Sequence, residues 1–246
     1  MSQDVQDGRG GRHRRSARVG QVSAAADPAG RRRHQRMGPW DADDAPRDGR
    51  LRLDLSSVQL PVPRGARLKC EPDPSGPLRA VHALVPEGRL TVSAFAAPRT
   101  GGLWPELVEE LAAQLQSEGA TIRRDRGEWG RELVARNGNI VARVIGVEGP
   151  RWMLRGVGTG EVQHALKLHG MLREMIRGTV VVRSPDALPV RSLLPLEIPE
   201  DVPEEFAESL VESMPTRPRQ ITRTEGPVIP MMLPQRAGSG TSPARS

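Results

Sequence analysis

From residue 51 the chain alternates apolar and polar positions. Leu51, Leu53 and Leu55 are separated by Arg52 and Asp54, the period of two that sets one strand face against a core. Pro61 and Pro63 then hold the chain extended or turning. Leu68 and Cys70 alternate with Arg67, Lys69 and Glu71, which predicts a half-buried strand. Residues 78–85 and 89–97 predict two more strands, joined around Pro86, Glu87 and Gly88 as a hairpin.

The period then lengthens. Leu103, Leu107, Leu111 and Leu115 recur every four residues beside Val108 and Ala112, which predicts a helix over 103–118. Pro105 suits its first turn, Glu106, Glu109 and Glu110 complement its positive end, and Gly119 stands at the C-terminal cap position. Strands follow at 121–124 and 131–136, before the turn signal Asn137-Gly138.

The densest stretch is residues 142–161, ARVIGVEGPRWMLRGVGTGE, which predicts a second hairpin of 140–147 with 152–157. Pairing Val147 with Arg151 would set Arg143 opposite Arg155, like charge against like. A four-residue loop, 148–151, instead pairs Val147 with Trp152 and Ile145 with Leu154, and that register is the expected one. A second helix is predicted over 161–176, with Val162, Ala165, Leu166, Leu172, Met175 and Ile176 on its apolar face and Gly178 just past its end. Residues 179–183 read as a short buried strand, and 204–214 as one acidic amphipathic helix with Phe206, Leu210 and Met214 in line.

This pattern predicts an α+β fold, an antiparallel sheet of hairpins covered by two main helices. Its parts are a disordered Arg-rich arm over 1–50, a single domain over 51–184, a proline-spaced strap with the short acidic helix over 185–213, and a disordered tail over 214–246. Met37, directly before GPWD, is a candidate translation start.

Charge distribution changes the picture of the partners. The net charge is +6, yet residues 37–213 hold 22 basic and 26 acidic groups. The first 36 residues carry nine arginines against Asp4, Asp7 and Asp27, and the last 33 carry five against Glu225. The basicity therefore lies in the tails, where Arg12, Arg14, Arg15, Arg31, Arg32 and Arg33 could give weak nucleic-acid binding. All but Lys69 and Lys167 of the 36 basic residues are arginine, as GC-rich coding would produce. One cysteine, Cys70, excludes an internal disulfide framework and a Cys-rich zinc site, and is expected to be a buried thiol. No apolar run reaches the roughly 20 residues of a membrane span, so the expected location is cytoplasmic.

Candidate chemistry is sparse. GVGTG at 156–160 lies between a predicted strand and helix but lacks the full dinucleotide spacing, so a close-packed turn is the expected reading. His164 and His169 are five apart, too far round a helix to share a metal, and His169 is expected as a satisfied core histidine. His82 shows no carboxylate or cysteine at metal spacing. No nucleophile elbow occurs. The residues that stand out are Arg99 and Trp104 in APRTGGLW, and Arg151 and Trp152 in GPRW: arginine beside tryptophan and mobile glycine suits an anion or peptide contact, although both rings could instead fill a core short of aromatics.

GPWD at 38–41, LDLSS at 53–57, FAAPRTGGLW at 95–104, IGVEGPRWMLRGV at 145–157, and VVVRS with RSLLPLEIPE downstream resemble an uncharacterised actinobacterial family of unknown function, DUF3710, over about residues 38–200. The chain departs from that family in a shorter hairpin at 136–143 and a long C-terminal tail. The resemblance implies a cytoplasmic protein with a gene neighbourhood that includes a dUTPase, and carries no activity over. The order of elements is also loosely similar to the Mog1/PsbP type of helix-covered antiparallel sheet. The expected function is a non-enzymatic binding or assembly factor that needs no cofactor. The alternatives are a nucleic-acid-associated factor acting through the Arg-rich tail and an accessory enzyme of nucleotide metabolism.

Overall fold

The computed structural model describes residues 37–72, 78–183, 188–199, 206 and 210–211. Six strands come first: Trp40–Asp41 (β1), Leu53–Asp54 (β2), Val58–Leu60 (β3), Arg67–Pro72 (β4), Leu78–Val85 (β5) and Gly88–Ala96 (β6). Helix α1, Leu103–Ser117, leads into Thr121–Gly127 (β7), Gly130–Asn137 (β8), Ile140–Gly149 (β9) and Trp152–Glu161 (β10). A 3-10 turn at Val162–His164 opens helix α2, Ala165–Gly178, and Val180–Val181 (β11) and Leu210–Val211 (β12) complete the order.

The fold is α+β. Its main sheet has eight strands in the order β12-β4-β5-β6-β10-β9-β8-β7, antiparallel apart from β12 on β4. A smaller sheet, β1-β11-β3-β2, joins pieces of two or three residues drawn from residues 40–60 and from 180–181. The period of two sorts the main sheet into two faces. Met153 and Val157 of β10 pack with Leu107, Leu111 and Leu115 of α1 on one face. Leu154 packs with Leu172 and Ile176 of α2, and with Leu53, Val58 and Val181 of the small sheet, on the other.

The column Gly156, Gly158 and Gly160 of β10 is where α2 lies down. A Cβ at Gly156 would come within 2.6 Å of Ile176, and one at Gly160 within 2.3 Å of the Glu87 carbonyl. GVGTG is thus strand throughout, paired on both sides with β6 and β9, and neither a turn nor a phosphate loop. The close approach of α2 demands Gly156, and that of the β5–β6 turn demands Gly160, whereas a Cβ at Gly158 would meet only ordinary contacts.

Several expectations are corrected. The β9–β10 register pairs Val147 with Leu154, Ile145 with Gly156 and Gly149 with Trp152, two residues from the expected pairing of Val147 with Trp152. The reason is a tight turn, Gly149-Pro150-Arg151-Trp152, in which Pro150 fixes the first corner and Arg151 takes a left-handed φ of 63° at the second. A shift of two leaves every side chain on its face, and Arg143 lies opposite Gly158, so the like-charge clash is still avoided. The neighbouring hairpin turns at Gly138-Asn139 rather than Asn137-Gly138, because Asn137 still pairs with Ile140 and Gly138 supplies the positive φ. In α2, Leu166 is 86% exposed and Leu168 takes its place in the core, the 3-10 turn having rotated the helix before its first residue. Gly178 is the helix's last residue.

Within the segment expected to be an arm, Trp40 and Asp41 form β1 against β11. Of the helix expected over 204–214, Leu210 and Val211 form β12; the remainder, apart from Phe206, lies outside the described residues, as do residues 1–36 with their arginines and the tail from 214. Residues 188–199 run beside β6 where β5 leaves it: Leu194 N donates to Ala94 O at 2.9 Å, and Arg191 N to Ala96 O at 2.8 Å. Arg191 clasps this segment to α1 through Glu106 and Glu110.

Candidate functional site

The four tryptophans are the fold's polar anchors as well as its bulk. Each indole N–H has a partner: Trp40 donates to Arg177 O, Trp104 to Arg131 O, Trp129 to Gly38 O and Trp152 to the Asp41 carboxylate. Three of these bonds hold the GPWD motif, through Gly38, Trp40 and Asp41, which explains its residue types without any ligand. Trp104 and Trp152 are 4% and 2% exposed, and each covers a glycine whose Cβ would meet the ring at 2.1 Å: Gly146 for Trp104, Gly149 for Trp152. Of the four residues singled out in the sequence, Arg99 and Arg151 reach the surface, whereas the two tryptophans are buried, Trp104 in the core under α1 and Trp152 in the core under α2.

The glycines of APRTGGLW have a definite job. Gly101 and Gly102 take φ of 70° and 88°, so the chain enters α1 with its first amides turned toward the β9–β10 turn. Glu148 fills that opening, its carboxylate accepting from Gly102 N at 3.2 Å, Leu103 N at 2.5 Å and Trp104 N at 3.0 Å. No residue of the helix supplies an N-cap side chain, so an anion from 45 residues away satisfies the orphan amides and the helix dipole. The helix entry is therefore closed to an outside anion. Glu148 carried no signal in the sequence beyond its place next to a turn.

What remains open is an arginine pole beside it. Arg151 and Arg183 line a cleft of about 40 Å³ whose apolar walls are Ala96, Ala97, Leu194 and Pro195. The charge of Arg183, then burial, then the charge of Arg99 pull the Arg151 guanidinium below its ordinary pKa, so Arg151 feels the repulsion of two neighbouring cations. Among the described residues neither Arg99 nor Arg151 has a carboxylate partner. Arg151 is held there by its strained backbone and by its carbonyl, which accepts from Ala97 N at 3.0 Å. The sequence placed Arg99 and Arg151 at separate loops; Arg183 was not singled out, because its neighbourhood depends on β11.

Two histidine networks were also hidden. His82 bridges three strands, with Nδ1 2.8 Å from Thr91 Oγ1 and Nε2 3.1 Å from the Glu71 carboxylate, and is buried. His169 Nε2 stands 3.3 Å from Glu132, a carboxylate only 1% exposed that also accepts from Arg143 at 2.6 Å. Burial pushes the Glu132 carboxyl up, but His169 and Arg143 outweigh it and hold it below the usual range. Arg155 is buried on the opposite sheet face over the Phe95 ring, 5.0 Å from its centroid, and burial lowers its pKa to about 10. The Cys70 thiol is buried, and burial pushes its pKa up.

Fold and site together define a helix-covered antiparallel sheet protein with a cationic surface at one end of its central hairpin. The chain matches the family described as "Protein of unknown function (DUF3710)" over residues 38–205, and it belongs to that family. No match was found among curated proteins. A crystal structure of a protein from Bacteroides thetaiotaomicron VPI-5482 is similar at 12% identity and a TM-score of 0.32. The likeness covers 57% of this chain and 52% of that one, so the chain spans about half the length of that structure. No helix among the described residues is long and apolar enough to cross a membrane.

Proposed function

We infer that this chain is a non-enzymatic binding protein that takes an acidic segment of a partner protein on the Arg99–Arg151–Arg183 pole. The observation that carries the reading is an apolar-walled cleft lined by Arg151 and Arg183, with the charge of Arg99 also felt at Arg151 and with Arg151 in a left-handed backbone at its turn. Collecting like charges is unfavourable in the free protein, and a carboxylate partner would remove that repulsion through bidentate contacts. A strained residue at an exposed turn fits a functional position better than a structural one.

Capture from a lysate of the native host, with wild-type bait and an Arg99→Ala, Arg151→Ala double variant, tests the reading. The wild type should retain partners that the variant loses. Identical partners from both baits would remove the pole from consideration.

A second reading rests on charge alone. The nine arginines of residues 1–36 would carry salt-sensitive nucleic-acid binding that disappears when those residues are deleted. Binding that survives the deletion would refute it. The enzyme of nucleotide metabolism loses its structural motive, since GVGTG lies inside β10.

A further inference from the structure

The α2 face of the sheet carries a larger concavity, which shares no lining residue with the cleft at the arginine pole. Helix α2 packs on β10 and leaves the β7–β9 end of that face uncovered. Between them lies a trough of about 450 Å³, within the range of small-molecule sites. Its floor can be read from the strand register. Thr121, Arg136 and Val141 form one cross-strand row running to Gly160. Arg123, Val134 and Arg143 form the next, running to Gly158. Because both rows end in glycine at β10, the floor drops away just where the helix overhangs. Val162, Ala165, Leu166 and Leu168 supply an aliphatic roof.

The charges are unevenly satisfied. Arg143 is locked between Asp125 at 3.0 Å and Glu132 at 2.6 Å, and Arg123 pairs with Asp125 at 3.0 Å. Arg136 is different: its Nε donates to the carbonyl of Gly138 at 3.0 Å, and it has no carboxylate partner among the described residues. The trough thus combines aliphatic walls with one unneutralised guanidinium on its open side. Leu166, 86% exposed, stands at its mouth and carries the aliphatic roof out toward solvent.

We propose that this trough binds a small amphipathic anion, an alkyl carboxylate, with the chain between Val134, Val141 and the roof of α2 and the head group on Arg136. Charge complementarity selects this occupant. A neutral alkyl chain would leave Arg136 unanswered, and the chain's own C-terminal tail, with five arginines against one glutamate, has the wrong sign. A free phosphate would use the cation but none of the aliphatic wall.

Isothermal titration of the full-length protein with decanoate, 1-decanol and inorganic phosphate, all below any micelle concentration, tests the proposal. Decanoate should bind saturably at one site, at least tenfold more tightly than 1-decanol or phosphate. Arg136→Ala, an exposed change the fold should tolerate, should weaken decanoate at least tenfold, with Arg136→Lys recovering part of the loss. Leu166→Glu should weaken it likewise, whereas Arg99→Ala with Arg151→Ala should leave it unchanged, which separates this site from the pole. Equal affinity for decanoate and 1-decanol, an Arg136→Ala variant that binds like wild type, or no saturable binding would each overturn the proposal.

Discussion

Glu148 offers the sharpest check on how the central hairpin and α1 are joined. Its carboxylate is the acceptor for three consecutive amides at the start of α1, at 3.2, 2.5 and 3.0 Å, and no side chain of the helix could take over. Glu148→Gln keeps an acceptor oxygen but removes the charge facing the helix dipole, a loss of about 1 kcal/mol. Glu148→Ala removes the acceptors as well; losing a cap costs up to about 2 kcal/mol, so the alanine variant should lie roughly 2–3 kcal/mol below wild type. Urea denaturation followed by tryptophan fluorescence reads both, because Trp104 N is one of the donors. The midpoint should fall in the order wild type, Gln, Ala with an unchanged slope. If the alanine and glutamine variants were equally stable, or both lay within about 0.5 kcal/mol of wild type, the capping argument would be wrong.

Other predictions follow from the same geometry. Gly156→Ala drives a methyl to 2.6 Å from the buried Ile176 and should cost about 1–3 kcal/mol by overpacking, whereas Gly158→Ala meets its neighbours at 3.5 Å and should be neutral or slightly stabilising; equal effects on thermal unfolding would contradict the proposed seat of α2. Arg151→Gly relieves the left-handed φ and should stabilise the fold by about 0.5–1 kcal/mol while weakening partner capture, a combination that a purely structural Arg151 would not give. Glu132 has a folded pKa held below its ordinary value of 4.5, so the unfolded chain binds the proton more readily. Its contribution is complete above that value and is lost as pH falls through the folded pKa. The urea midpoint of wild type should therefore drop below about pH 4.5, and Glu132→Gln, less stable near neutral pH, should show a shallower drop.

The hairpins and α1 were legible because they are local: β5–β6 and β8–β9 are joined by short turns, and the leucines of α1 recur at the helical period on one buried face. The β9–β10 register was not, since arginine is rarely found at positive φ and nothing in GPRW announces a two-residue turn. Leu166 was misplaced because the 3-10 turn before α2 resets the helical phase, an effect of three residues that periodicity over fourteen cannot reveal. The small sheet joins Trp40 to Val180, and pairs of two residues leave no pattern to read. At the site, the residue types Arg99 and Arg151 were legible from their setting. The charges of Arg183 and Arg99 felt at Arg151, the closing of the helix entry by Glu148, and the trough beside Arg136 all depend on contacts between distant segments.

The central claim is that the arginine pole receives an acidic protein segment. Fluorescence anisotropy of a labelled hexaglutamate peptide, titrated with the full-length chain at fixed salt, tests it most directly. The account predicts saturable binding that weakens at least tenfold in the Arg99→Ala, Arg151→Ala variant, with no change in its unfolding midpoint beyond about 0.5 kcal/mol. Unchanged affinity in that folded variant would contradict it.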